Sequence, residues 1–185
     1  REGRSTGNTY STPALDAQVV HGVNDRLTLG VSVQATQDSQ NVTGSAAINL
    51  GKGGGLTLHA SQSQSPEGTG TAYAVGWEKR TNQWSFTANH MQRTGKYWDL
   101  NQAIPEDLRI DVQRASVVGV NWHSEDGNWI VSGMANDITY DEGRHTNTLG
   151  ARVRWQPSSR STWTFGASQD LAAQNTSVGV TYGLR

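Results

Sequence analysis

Three histidines, His59, His90 and His123, carry the side chains best suited to metal ligation or to general-base work near neutral pH. No two of them have the i, i+4 spacing of a helical zinc motif, and each sits in an alternating stretch that reads as strand. Hydrogen bonding on an inner face or at a rim is the role this spacing predicts. Asn89 and His90 beside a distant serine would suggest a hydrolase, but adjacent residues on a strand point to opposite faces and nothing marks a nucleophile. With no cysteine there is no thiolate ligand or thiol nucleophile. The glycine run Gly51-Lys52-Gly53-Gly54-Gly55 lacks the Lys-Ser/Thr pair and the following helix of a phosphate loop. Asn41-Val42-Thr43 and Asn175-Thr176-Ser177 match glycosylation sequons and mark no catalytic chemistry. The expectation is a protein that is not an enzyme, with no cofactor and no metal.

Charge is the better lead. Arg152 and Arg154 lie two apart, on one face of a strand, and with Glu78 and Asp170 they form a candidate charge constellation. Two such arginines either favour anionic solutes or pair internally with acidic residues. Gln34, His59, Asn89 and Asn121 complete the set of candidate inward-facing, lumen-lining side chains.

The elements that must position these residues are strands. Asp25 to Asp38 sorts by parity: Leu27, Leu29, Val31, Val33 and Ala35 share one face, and Thr28, Gly30, Ser32, Gln34 and Thr36 share the other. The same alternation recurs from Ala14 to Val23, Asn41 to Leu50 and Leu56 to Gln64, and then around Tyr73, Trp84, Val118, Trp129, Leu149, Trp163 and Val178, giving eleven strands. A twelfth is expected in the N-terminal segment or in the connection from 94 to 109, which holds the YWDL stretch Tyr97 to Leu100 and the breaker Pro105. The residues between 100 and 109 have the makings of a helical turn, with too short an apolar face for a helix. The link from Gly22 to Asp25 reads as a tight turn, and the stretch from Ser65 to Gly70 as a loop. Strand seven is untidy, because Arg114 and Ser116 share parity with Val118, Val120 and Trp122; either Arg114 snorkels beyond the hydrocarbon or a β-bulge shifts the register.

An apolar face opposite a small polar face fits a soluble sandwich or barrel with its apolar face inward, or a membrane barrel with that face on lipid. Two patterns favour the membrane. Six of the seven tryptophans, Trp77, Trp84, Trp122, Trp129, Trp155 and Trp163, fall beside the short connections that follow the odd-numbered strands, as an interfacial belt would. The opposite face carries Thr28, Ser32, Thr57, Ser61, Thr87, Thr164 and Ser168, where a soluble barrel would favour long charged side chains, and the three lysines lie in turns and loops. No apolar run approaches the about 18 residues of a transmembrane helix. The near balance of 15 basic and 16 acidic residues gives no concentrated basic face for nucleic acid, so none is expected as a partner. The N-terminus has no apolar leader segment, so a secretory signal is expected to have been removed or never present. The fold expected is all-β, an antiparallel up-and-down transmembrane β-barrel of about 12 strands, occupying 1–185 as one domain, or a fragment of a larger barrel.

The stretch His21 to Arg80 resembles the translocation barrel of the outer-membrane fimbrial usher family. His21 to Leu29 is similar to that family's "YG-L-T-D-x-L-T-L" strand, Gly55 to Ser63 to its "G-A-L-S-x-D-V-T-x-S" pattern, and Gly70 to Lys79 to its "G-x-S-Y-R-x-x-Y-S-K" pattern. Gly95 to Leu100 is similar to the later "G-Y-x-x-L" element, and the resemblance fades beyond Leu100. It implies a bacterial outer-membrane channel for export or assembly of pilus or surface-protein subunits. Its partners would be the lipopolysaccharide membrane, chaperone–pilin complexes and further barrel or plug chains. Ushers have a barrel of roughly 24 strands, interrupted by a plug, and periplasmic domains that this sequence does not contain; the terminal Arg185, where an intact barrel would carry an aromatic residue, also favours a fragment. The alternatives are a small passive pore for hydrophilic solutes and a soluble β-barrel binding protein. The soluble reading requires Leu29, Val31 and Trp84 inside a dry core.

Overall fold

The computed structural model describes residues 13–100, 112–141 and 143–184. They form eleven strands in one all-antiparallel sheet, ordered as in the sequence: β1 (Leu15–Asn24), β2 (Leu27–Ala35), β3 (Gln40–Asn49), β4 (Gly55–Ser65), β5 (Gly68–Arg80), β6 (Trp84–Gly95), β7 (Val112–His123), β8 (Trp129–Tyr140), β9 (His145–Ser158), β10 (Ser161–Asp170) and β11 (Asn175–Leu184). A short 3-10 turn, Gly51–Gly53, joins β3 to β4. The twelfth strand and the helical turn expected between 100 and 109 lie outside the described residues.

Two compact units divide the sheet. The first holds β1 to β3, nearly all of β4, β5 as far as Val75 and β6 from Met91; the second holds the rest of β5 and β6 together with β7 to β11. In the first unit the register places Val19 opposite Val31 and Val31 opposite Gly44, and Val33 opposite Val42, so the apolar parity class of each strand meets that of its neighbour. In the second unit Trp122 pairs with Val131, Val131 with Val153, Val153 with Phe165 and Phe165 with Val180. Above that rung lie Val120, Gly133, Ala151, Ala167 and Val178, and below it Trp129, Trp155, Trp163 and Tyr182. Trp129 and Trp155 stack with centroids 5.5 Å apart, and Trp163 lies 4.6 Å from Tyr182. A one-residue slip would move every one of these side chains to the other face, so the rungs fix the register.

Several strand ends differ from the sequence pattern, and β2 is shorter than the alternating stretch from Asp25 to Asp38. β1 continues through the expected turn to Asn24, because a bulge between Gly22 and Asn24 absorbs the extra residue. Asn24 Oδ1 then accepts the N–H groups of Arg26 and Leu27 at 2.9 and 3.0 Å, capping a tighter turn. The expected loop from Ser65 to Gly70 contracts to Pro66 and Glu67, since Gly68 takes φ 134° and lets β5 begin at once. In strand seven a bulge between Val112 and Arg114 is present, and Arg114 is ion-paired at 3.2 Å to Asp137 on the neighbouring strand.

The β7–β8 turn is held by one carboxylate. Asp126 accepts hydrogen bonds from the Ser124 hydroxyl, the Asn128 N–H at 3.0 Å and the Asn128 side-chain amide at 2.7 Å, while Ser124 Oγ accepts the N–H of Trp129 at 2.9 Å. These bonds, that from Ser124 foremost, hold the Asp126 carboxyl below its ordinary range. A lowered folded-state value means the turn's contribution is complete above the ordinary carboxylate range and is lost as pH falls through the lowered value. The protection factors of the Asn128 and Trp129 amides, their exchange rates taken relative to the intrinsic rate at each pH, are therefore expected to fall on acidification, and Asp126→Asn is expected to flatten that pH dependence.

Candidate functional site

The faces of the sheet differ in a way that bears on what can cover them. Leu29, Val31 and Trp84 are 46%, 55% and 43% exposed, so the dry core required by the soluble reading is not formed around them. Val118, Leu149, Phe165 and Val180 of the same parity class are also exposed, others such as Val33 and Val153 are half-buried, and no described member of the class is buried. In the second unit this apolar face has two defined edges. One is the aromatic rung of Trp129, Trp155, Trp163 and Tyr182. The other is polar: Ser116 pairs with Asp137 and Asp137 with Asn147, His90 Nδ1 lies 2.8 Å from Ser116 Oγ, and Asp137 takes Arg114 on one oxygen and His145 Nε2, at 3.1 Å, on the other. Arg114 and Ser116, untidy in the sequence, are thus the polar border of the band. From Trp155 to Asn147 is eight residues, or about 26 Å along the strand at 3.3 Å per residue. In the first unit the end of the face near Gly95 is likewise polar, with Gln40 Nε2 donating to Gln64 Oε1 at 3.4 Å, Thr71 and Thr94 hydroxyls 2.6 Å apart, and Tyr73 OH donating to Gln92 Oε1 at 2.8 Å.

The small polar face of the first unit carries the most tightly built feature among the described residues. After β6, Gly95 takes φ 65°, and a Cβ there would sit 2.7 Å from the Thr69 carbonyl oxygen. Lys96 N–H then donates to that oxygen at 3.0 Å, and residues 97–100 cross β5, β4, β3 and β2 as a strap. Trp98, the tryptophan outside the belt, is 8% exposed and is the buried large apolar side chain of the described residues. Its N–H donates to Ser63 Oγ at 2.8 Å and its carbonyl accepts from Asn41 Nδ2 at 2.7 Å. Asn41 Nδ2 also donates to Tyr97 OH at 2.9 Å, and Asn41 Oδ1 accepts the Thr43 hydroxyl at 3.0 Å. Asn41 and Ser63 are only 2% and 1% exposed, so loss of either partner would leave a buried polar group unsatisfied. Arg93 braces the strap from β6, 3.0 Å from Asp99 and with its guanidinium 5.2 Å from the Tyr97 ring centre. Gly70 is the seat: a Cβ there would lie 2.1 Å from the Tyr97 nitrogen.

The structure distributes the predicted lining residues over both units. Gln34 meets the strap, its Oε1 accepting the Leu100 N–H at 3.4 Å. His59 shares the face of Ser61 and Ser63 but is exposed. Asn89 and Glu78 are exposed on the small-residue parity of β6 and β5. Asn121 Nδ2 donates to Ser85 Oγ at 3.3 Å, linking β7 to β6. Arg152 is exposed between Gly166 and Ser132, and Arg154 donates to Gln156 Oε1 at 3.1 Å; no described carboxylate lies within ion-pair distance of either. Asp170 does not join them, its Oδ1 instead accepting the Ala172 and Ala173 N–H groups at 2.9 and 3.0 Å in the β10–β11 turn. Of the histidines, His90 lies on the apolar parity at its polar border rather than on the inner face. Among the described residues no group of three His, Asp or Glu side chains is placed to hold a metal ion.

Sequence reasoning missed Asn41, Ser63, Gly70 and Arg93 as a set. The available signal was one tryptophan away from the belt, in YWDL; Asn41 shares its parity class with Thr43, Ser45, Ala47 and a second asparagine, Asn49, and does not stand out.

No protein-family model matches the sequence, and no curated protein does. Solved structures do resemble the fold. The P pilus usher (PapC) translocation pore aligns over 98% of this chain with a TM-score of 0.71 at 18% identity. An E. coli P pilus tip assembly intermediate, PapC-PapD-PapK-PapG, aligns over 96% with a TM-score of 0.78, again at 18% identity. The chain spans 40% and 24% of those two chains. The likeness is one of fold, an antiparallel meander of the kind found in a translocation pore.

Removing the seat should release the strap. With Trp98 assigned by Trp98→Phe in fluorotryptophan NMR, Gly70→Val is expected to move the Trp98 resonance to its solvent-exposed position and leave the belt resonances in place. Asn41→Ala is expected to cost about 1–3 kcal/mol in unfolding free energy, the range for orphaning a buried polar group.

Proposed function

We propose that this chain is the strand-forming part of an outer-membrane channel of usher type, serving export or assembly of pilus or surface-protein subunits. The observation that carries this reading is the uncovered apolar face bounded by an aromatic rung on one side and a polar row on the other, which matches a lipid-facing band. The fold likeness to the P pilus usher pore supports the choice of channel type. In this reading the small polar face lines the passage, and Gln34, His59, Glu78, Asn89, Asn121, Arg152 and Arg154 contribute to its wall. Partners are the lipopolysaccharide membrane and chaperone–subunit complexes, and no catalytic chemistry is assigned.

The eleven described strands set a condition on closure. In an antiparallel meander β1 and β11 run the same way, so closing eleven strands on themselves would require a parallel pair. An all-antiparallel cylinder needs an odd number of further strands, from this chain or another. A second reading, a small passive pore, is favoured by Arg152 and Arg154, whose guanidinium groups no described carboxylate neutralises and which would attract anions in a lumen.

An arginine scan separates lipid-facing from passage-facing positions. Val31→Arg and Ala151→Arg are expected to destabilise the vesicle-inserted protein by about 2–4 kcal/mol, whereas Thr181→Arg on the small-residue face is expected to cost far less. Equal tolerance at all three positions in denaturant titrations would contradict the assignment of faces. Planar-bilayer recordings separate the two channel readings: steady anion-selective steps from this chain alone favour the small pore, and conductance only with additional polypeptide favours the usher-type channel.

A further inference from the structure

We propose that Asn41 and Ser63 form a main-chain clamp, a binding site for one extended polypeptide segment bearing an aromatic residue, and that the chain's own residues 97–100 occupy it as a built-in competitor. The two most deeply buried polar side chains of the described residues address the two main-chain groups of a single residue: Ser63 Oγ accepts the Trp98 N–H and Asn41 Nδ2 donates to the Trp98 carbonyl, at 2.8 and 2.7 Å. Recognition through main-chain groups reads an extended chain rather than one particular sequence, as in strand addition to a sheet edge. Here side chains on the face of the sheet make the contacts, so the sheet's own ladder is left whole.

The surroundings fit that use. Gly70 lets a backbone come to a distance no side chain would permit, and the small side chains of Thr43 and Ser61, 2.8 Å apart, leave the floor low beside it. Preference is added at the flanks, where Asn41 Nδ2 reaches Tyr97 OH, Arg93 meets Asp99, and Gln34 accepts the Leu100 N–H. With the strap seated, the Asn41 amide and the Ser63 hydroxyl are nearly closed off from solvent, so whatever covers them must satisfy both. The strap is tethered at Gly95, three residues before Trp98, which gives it an effective concentration of order mM against any external segment. An external chain therefore gains the site when the strap leaves it.

The test uses the full chain in detergent and a fluorescent hexapeptide, Gly-Lys-Tyr-Trp-Asp-Leu, with binding read by anisotropy. The double variant Tyr97→Ser with Trp98→Pro empties the clamp by removing both rings and the main-chain N–H that Ser63 accepts, and Trp98→Pro alone is the gentler second variant should the first fail to fold. Either emptied protein is expected to bind the peptide at least about tenfold more tightly than the unaltered chain, the factor that corresponds to one hydrogen bond. Methylating the tryptophan nitrogen of the peptide main chain, or adding Asn41→Ala to the protein, is expected to remove about tenfold of that affinity again. Equal binding to emptied and unaltered protein, or indifference to the methyl group, would overturn the clamp. Neither result depends on membrane export, so failure here is distinguishable from failure of the channel reading.

Discussion

A β-strand places successive side chains on opposite faces, and its backbone polar groups are satisfied by neighbouring strands. Every other feature of this protein follows from those two facts. Once the ladder supplies the hydrogen bonds, each strand is free to give one parity class to an apolar setting and the other to a polar one. The rung of Trp122, Val131, Val153, Phe165 and Val180 and the parallel arrangement of Val19, Val31 and Gly44 show the same allocation in the two units. The bulges at Gly22–Asn24 and Val112–Arg114 fall at strand ends, so the allocation runs unbroken through the length of the ladder between them and the far turn.

The two faces then do different work. On the apolar face polar residues gather at an edge, where they satisfy one another: His90 with Ser116, Arg114 and His145 with Asp137, and Gln40 with Gln64. On the small-residue face the order is reversed, because one large apolar side chain, Trp98, is seated among polar partners. Small residues are needed there for the same reason large ones are excluded: Gly70 and Ser63 admit a second layer of chain against the sheet.

Much of the strand pattern was legible in the sequence, because period-two alternation depends only on neighbours along the chain. Leu27 to Ala35, the six tryptophans beside short connections, and the residues framing β9 and β10 all announced their face in this way. Strand ends were less legible, since the positive φ of Gly68 and the bulge before Asn24 trade loop for strand without changing composition. The strap was not legible at all as a site. Asn41 and Trp98 are 57 positions apart, and each resembles an ordinary barrel or loop residue until the register sets Asn41 across from Gln34 and brings Ser63 beside it. Asp170 shows the converse: its charge drew attention, but its position at the end of β10 commits it to the turn.

The central claim is that odd-numbered positions of β2 face lipid and even-numbered ones face water. Spin labels placed singly from Leu27 to Ala35 in the vesicle-reconstituted chain measure this directly, through collision with oxygen and with a water-soluble nickel chelate. The account predicts a period of two, with Leu29, Val31 and Val33 favouring oxygen and Gly30, Ser32 and Gln34 favouring the chelate. The same chelate access at both parities, or an inverted phase, would contradict it.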